Sequence, residues 1–224
     1  MPHPAQSFAD TTRHLEAGPG PAVDRPVVLF DLGNILVHLH SVDRFWPGLS
    51  PEPGTPSYSE RWKVSSAMHR FETGQISDFS AFYEEAKAEL GFPVGHDEFY
   101  QGYLETIGDL FDETLPILNA LYSRFSLQLL SNTSAVHWQH CSKSLGLGPY
   151  FDRVLVSYEL GCMKPDPQVF HLALAEIDRD PETIYYFDDR PENIETALKF
   201  GINAHLSWGG GPLLRQMREL KFIL

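Results

Sequence analysis

Apolar and polar positions along the chain fall into two textures. PVVLF, Pro26 to Phe30, is a short unbroken apolar run of the kind that forms a strand buried on both faces. Similar runs return much later, at Leu127 to Ser131, Arg153 to Ser157 and Thr183 to Phe187. Helical patterns lie between them, at Ala135 to Leu145, Asp166 to Ile177 and Pro191 to Phe200. The last carries Pro191 in its first turn, where a missing N–H matters least, and Gly201 just past its end. Strands alternating with helices imply right-handed βαβ crossovers. A short strand near Ala204 to Leu206 and a helix near Leu213 to Leu220 complete the pattern, joined by the glycines 209 to 211. Those glycines are no phosphate loop, since the lysine and spacing of one are missing.

From Ser41 to Asp112 the rhythm breaks, and no buried strand is expected. Phe79, Phe82, Tyr83, Ala86 and Leu90 fall at i, i+3, i+4, i+7 and i+11, one apolar stripe of a helix with Ser77 placed as its N-cap. Asp97 to Ile107 reads as a further helix. The predicted fold class is therefore α/β: a Rossmann-like parallel sheet with helices on both faces and an inserted α-helical unit. Residues 25–40 and 113–224 make the α/β core, residues 41–112 the insertion, and residues 1–24 a flexible tail. The stripe is read as the insertion's own core. Trp46, Trp62, Trp138 and Trp208 are read as packing anchors.

A length of 224 residues, with 42% apolar and 21% charged, suits one ample soluble core plus a smaller accessory unit. The formal charge of −13 argues against nucleic acid and anionic membranes as partners. It leaves room for a small anion, because local cations and a metal can override a distant net charge. Cys141 and Cys162 form neither a C-x-x-C pair nor a disulfide framework, which suits reduced thiols. The first residues lack a signal-type apolar stretch, and no later run reaches the length of a membrane span. The expected location is cytoplasmic.

Four polar signatures stand at or just beyond the predicted strand ends, where open α/β sheets bind ligands. In FDLGN, Asp31 follows a buried strand, and the N–H groups of Leu32 and Gly33 are placed to meet a phosphate oxygen; an Asx turn explains the same residues. In LLSNT, Ser131 and Asn132 make either an anion site or a plain helix cap. In GCMKPDP, Lys164 is aimed by the proline that follows, or is a surface charge. In YYFDDRPENI, Asp188 and Asp189 crowd two carboxylates that repel unless a cation relieves them. With Asp31 they offer hard oxygen ligands suited to magnesium.

Taken in order, these motifs, with Asn193 after the last, resemble the haloacid dehalogenase-like superfamily from Val27 to Leu206. FDLGNILV, FETGQISDFSAF and LGCMKPDPQVF look closest to the branch with α-glucose-1-phosphate phosphatase and the phosphatase domain of epoxide hydrolases. The resemblance implies that Asp31 attacks phosphorus and forms an aspartyl-phosphate, turning one hard step into two easier ones. It implies that Ser131 hydrogen-bonds the phosphoryl group and that Lys164 neutralises it. Asp31, Asp189 and the carbonyl of Gly33 would ligate Mg²⁺, with Asp188 in support. The insertion would be a cap that closes over a small phosphorylated metabolite.

Gly33 departs from that family's pattern, which usually places a proton-handling aspartate there. Three explanations stay open: a substitute acid such as His38, His40 or His69; a substrate whose leaving group departs with little help; or a silent relative that binds a phosphate ligand. A halide-removing enzyme is disfavoured by the Asp188–Asp189 pair, and a phosphomutase by Gly33.

Overall fold

The computed structural model describes residues 25–45 and 56–224. The expected tail and Trp46 lie outside them. Among the described residues seven strands occur: β1 Val27–Phe30, β2 Val37–Leu39, β3 Ile107–Leu110, β4 Ser126–Ser131, β5 Arg153–Val156, β6 Ile184–Asp188 and β7 Asn203–Leu206. Five of them form one parallel sheet in the order β5-β4-β1-β6-β7. β1, the strand that precedes Asp31, is thus central, flanked by the strands that end on Ser131 and Asp188.

The period of two along β1 explains both layers of core. Val28 and Phe30 face one side with Leu127, Leu129 and Phe187, covered by helices α5 Thr114–Leu121 and α10 Gly211–Glu219. Val27 and Leu29 face the other with Leu130, Leu155 and Tyr186, covered by α8 Pro167–Ile177 and α9 Pro191–Lys199. A strand sandwiched this way has no polar face, so its sequence reads as an unbroken apolar run. At the helix starts, Asp166 caps α8 through the Gln168 N–H, and Pro191 opens α9. Between β4 and β5, α6 Ala135–Gln139 runs on into a wider π-type turn at His140–Ser144. Ser157 belongs not to β5 but to a one-turn helix, α7 Ser157–Leu160.

The insertion contains α1 Tyr58–Lys63, α2 Ser66–Glu72, α3 Phe79–Leu90 and α4 His96–Leu104. They share an aromatic core in which Phe71 and Phe82 stack at 4.2 Å and Phe92 and Phe99 at 4.6 Å. Trp62 joins this core, as Trp138 joins the larger one. Three expectations need correction. α3 is capped not by Ser77 but by Asp78, whose carboxylate accepts from the Ala81 N–H at 2.8 Å. The second helix ends at Leu104, and Ile107–Leu110 is a strand paired antiparallel with β2. Only Ile107 in that strand is buried, which hides it from a search for apolar runs. Trp208 is half exposed and, among the described residues, joins none of the three apolar clusters.

The insertion is docked on the core by small polar contacts. The Tyr103 hydroxyl donates to Ser134 Oγ at 2.9 Å, and His137 lies flat on the Tyr103 ring at 3.9 Å with Nε2 2.8 Å from the Tyr103 carbonyl. Burial holds His137 down to about 4, so it is a neutral partner there. At the end of α2, Gly74 has φ +72° and lies so close to the Tyr158 carbonyl that a Cβ could not fit. Among the described residues no helix is long and apolar enough to cross a membrane.

Candidate active site

Asp31 is fixed as β1 ends: its N–H still donates to the Phe187 carbonyl at 2.9 Å, continuing the sheet by one residue. The chain then turns sharply, with Leu36 and Val37 both donating back to the Leu32 carbonyl. The carboxylate of Asp31 is left at the sheet edge, 8% exposed, and accepts from the Leu32 N–H. The sequence-predicted residues Asp31, Asp188 and Asp189 converge there. One oxygen from each lies within 4.8 Å of the others.

Lys164 is the hub. Its ammonium is buried and makes four contacts: Asp31 Oδ1 at 2.8 Å, Asp188 Oδ2 at 2.7 Å, the Leu130 carbonyl at 2.8 Å and the Tyr186 hydroxyl at 3.0 Å. Its backbone is pinned by Asn132, whose amide donates to the Lys164 carbonyl and accepts from the Lys164 N–H, both at 2.8 Å. The Asn132 side chain thereby serves lysine placement, leaving its peptide N–H as the group able to meet a phosphate. Ser131 ends β4 beside it, buried, and among the described residues no hydrogen bond holds its hydroxyl. Burial opposes the charge on Lys164, but Asp31 and Asp188 outweigh it and hold its pKa above the ordinary lysine range.

The carboxylates are not equivalent. Asp31 is pushed up by burial, against the pull of Lys164 and with the added push of Asp188. Asp188 also feels burial, yet Lys164 and its donors hold it below the ordinary range. Those donors are Tyr186, the Arg190 N–H at 2.8 Å and the Asn193 amide at 2.9 Å. Asp188 is therefore the fixed counter-charge of the lysine. Asp189 is more open, with Asn34 Nδ2 on its Oδ2 at 2.9 Å. Sequence reading did not assign Tyr186 or Asn34 to the site. Asn34 was visible in FDLGN, but Tyr186 gave no signal within an aromatic strand.

At Gly33 a Cβ would come within 2.6 Å of Leu39 Cδ1, so an exposed leucine end fills the space that a side chain would enter. The histidines considered as substitutes have other neighbours or face solvent. His38 packs on Phe111 at 3.8 Å, His40 lines a separate groove with Arg44 and Glu105, and His69 is exposed. A second groove runs from Asp189 past Ser207 and Trp208 to Arg215.

Residues 26–201 match the family model of the haloacid dehalogenase-like hydrolases. The chain belongs to that family. This haloacid dehalogenase-like hydrolase is 23% identical over 188 residues to D-ribitol-5-phosphate phosphatase of Bacteroides thetaiotaomicron, covering 78% of this chain and 87% of that one. It is 24% identical over 217 residues to bifunctional epoxide hydrolase 2 of Sus scrofa, covering 86% of this chain but only 38% of the larger protein. Its fold matches a B. thetaiotaomicron family enzyme solved with magnesium and inorganic phosphate, with a TM-score of 0.71, 22% identity and coverage of 82% and 94%. A HAD-like hydrolase from Porphyromonas gingivalis matches with a TM-score of 0.75, 22% identity and coverage of 88% and 98%.

Proposed function

We propose that this hydrolase is a magnesium-dependent phosphatase that acts in the cytoplasm on a small phosphomonoester, a sugar phosphate by preference, through an aspartyl-phosphate on Asp31. The observation that carries the reading is the buried Lys164 ammonium bridging Asp31 and Asp188 at 2.8 and 2.7 Å. It holds a nucleophile in place while presenting positive charge to an incoming anion.

The residues fit the metal. Three carboxylates converge and only two of them pair with the Lys164 ammonium, an excess of negative charge that favours a further cation, and hard oxygens suit magnesium. Asp31, Asp189 and the Gly33 carbonyl would hold it, with Asp188 in support. When bound, it supplies positive charge that draws and polarises the phosphoryl oxygens.

The chain's own residues do the rest. An Asp31 oxygen attacks phosphorus as the bond to the leaving oxygen breaks and that oxygen takes a proton from solvent; water then attacks the aspartyl-phosphate and gives a proton back to solvent, releasing phosphate and restoring Asp31. Lys164 offsets charge on the phosphoryl group, and the Ser131 hydroxyl and the N–H groups of Leu32, Gly33 and Asn132 orient its oxygens. The insertion acts as a cap that limits water and selects the leaving group. The phosphatase and the magnesium–phosphate complex among its relatives support this reading. Two unpaired cysteines, Cys141 and Cys162, suit a reducing compartment.

The test is release of phosphate from a panel of sugar phosphates, nucleotides and p-nitrophenyl phosphate with Mg²⁺, beside Asp31→Asn. Mg²⁺-dependent turnover that disappears in the variant is expected. Turnover surviving in Asp31→Asn removes this nucleophile. No release from any ester favours the second reading, raised by Gly33, of a phosphate-ligand binding relative.

A further inference from the structure

Glu72 is the last residue of α2, and its backbone is clamped to the core next to the phosphate-binding loop. Its carbonyl accepts from Ser157 Oγ at 2.6 Å, and the same hydroxyl receives the Thr133 N–H at 2.9 Å, two residues beyond Ser131. The close approach of Gly74 to the Tyr158 carbonyl fixes the following turn. The side chain lies within electrostatic range of Arg190, which follows Asp189, and of the Tyr103 hydroxyl. Glu72 is thus placed between the strand-end loop that carries Ser131 and the one that carries Asp189. The strands that lead to these two loops, β4 and β6, flank β1, whose own end carries Asp31.

What is unusual is that the carboxyl has nothing to do there. Among the described residues no hydrogen bond reaches it, although neighbouring protein strips much of its water and pushes its pKa up to about 7. Its surface is only partly covered. A carboxyl so placed gains most from a ligand that restores its hydrogen bonds.

We infer that Glu72 and Arg190 together recognise the leaving group of the substrate, and that this group is polyhydroxylated, as in a sugar or polyol phosphate. The inference rests on the phosphatase reading above. Hydroxyls both donate and accept, so one such group can serve the carboxyl of Glu72 and another the guanidinium of Arg190. An apolar alcohol leaves the desolvated carboxyl without a partner. A leaving group with its own phosphates meets Glu72 with like charge, and a cationic amino-alcohol meets Arg190 with like charge. Specificity built this way rejects analogues that lack the hydroxyl far more strongly than an apolar pocket does.

Three esters separate the possibilities: a polyol phosphate such as ribitol 5-phosphate, propyl phosphate, which lacks further hydroxyls, and phosphoethanolamine. In Glu72→Leu, the ratio of kcat/KM for the polyol phosphate to that for propyl phosphate is expected to fall about 10- to 100-fold. Glu72→Gln, which keeps hydrogen-bonding capacity, recovers part of it. Thermal midpoints of the variants verify folding. An unchanged ratio overturns the inference, as does a wild-type preference for phosphoethanolamine. Loss on propyl phosphate as large as on the polyol ester also overturns it, pointing to a general role in turnover. If wild type releases phosphate from no ester, the phosphatase reading fails separately. Recognition is then read from thermal stabilisation of Asp31→Asn, with and without Glu72→Leu, by ribitol 5-phosphate against inorganic phosphate. Equal stabilisation by both ligands overturns it there too.

Discussion

Replacing Glu72 with glutamine should make the protein more stable, and only where the pH is high enough to ionise the native side chain. Burial lifts this carboxyl from 4.5 to about 7, while Arg190 offsets only part of the penalty. A carboxyl with a raised folded pKa leaves stability intact below its unfolded value and erodes it as pH climbs to the folded one. At about 1.36 kcal/mol for each pKa unit, the full window amounts to about 3 kcal/mol. Because the side chain keeps some contact with solvent, about 2 kcal/mol is the better expectation. Glutamine cannot ionise, so its advantage over wild type should stay under about 1 kcal/mol at pH 5, grow through pH 6 and 7, and level off by pH 8. Urea denaturation of both proteins across that series measures it, and other titrating groups cancel in the difference. Each kcal/mol corresponds to about 2–4 °C in the thermal midpoint of a chain this size. An advantage of the same size at pH 5 and pH 8 would refute the reasoning, since it would then come from packing and not from charge.

Chelation of divalent metal should abolish phosphate release and added Mg²⁺ restore it; turnover indifferent to chelator would point to metal-free chemistry at Asp31. Lys164→Met should cost about 3–5 kcal/mol in urea denaturation, because it leaves Asp31 and Asp188 buried without their cation. A loss below about 1 kcal/mol would show that solvent reaches the pair and screens it. Gly33→Asp should fold, since the obstructing atom is the end of the exposed Leu39 side chain. It should also raise turnover of alkyl phosphates by up to about 10²-fold if a missing proton donor limits the rate. No gain would locate the slow step elsewhere. Gly74→Ala should destabilise the chain by more than about 1 kcal/mol, given its positive φ and the adjacent Tyr158 carbonyl; a neutral substitution would mean that the turn is free to move.

Much of the fold was legible because a strand covered on both faces leaves a simple trace. Val27 to Phe30 and Leu127 to Leu130 have no solvent side, and so read as apolar runs. Ile107–Leu110 escaped notice because one buried residue in four makes no pattern. The shift from Ser77 to Asp78 as a cap was a choice between adjacent capping residues that only backbone geometry decides. In the site, the acids and the lysine announced themselves by standing at strand ends. Their supports did not. Tyr186 looks like one more aromatic of β6, and Asn132 looks like a ligand-facing amide until its two bonds to the Lys164 backbone are seen. Residues that act by touching another side chain leave no period and no spacing. Glu72 was hidden in the same way, within FETGQISDFSAF, a segment read for its family likeness and for the helix that follows.

The β2–β3 ribbon has a bearing on how such a molecule can change over generations. The chain departs along Val37–Leu39 and comes back along Ile107–Leu110, and those two strands bond to each other, with His40 N–H on the Thr106 carbonyl at 2.8 Å just beyond. Whatever lies between them begins and ends at the same spot, like a leaf on a stalk. The stalk thus fixes where the leaf enters and leaves, and away from its docking contacts at Glu72, Gly74 and Tyr103 lengthening the leaf adds a closure penalty that grows only with the logarithm of its length. The sheet and the appendage can therefore change largely apart from each other, provided that the few residues of the core that receive the leaf, Ser134, His137 and Ser157, keep their partners.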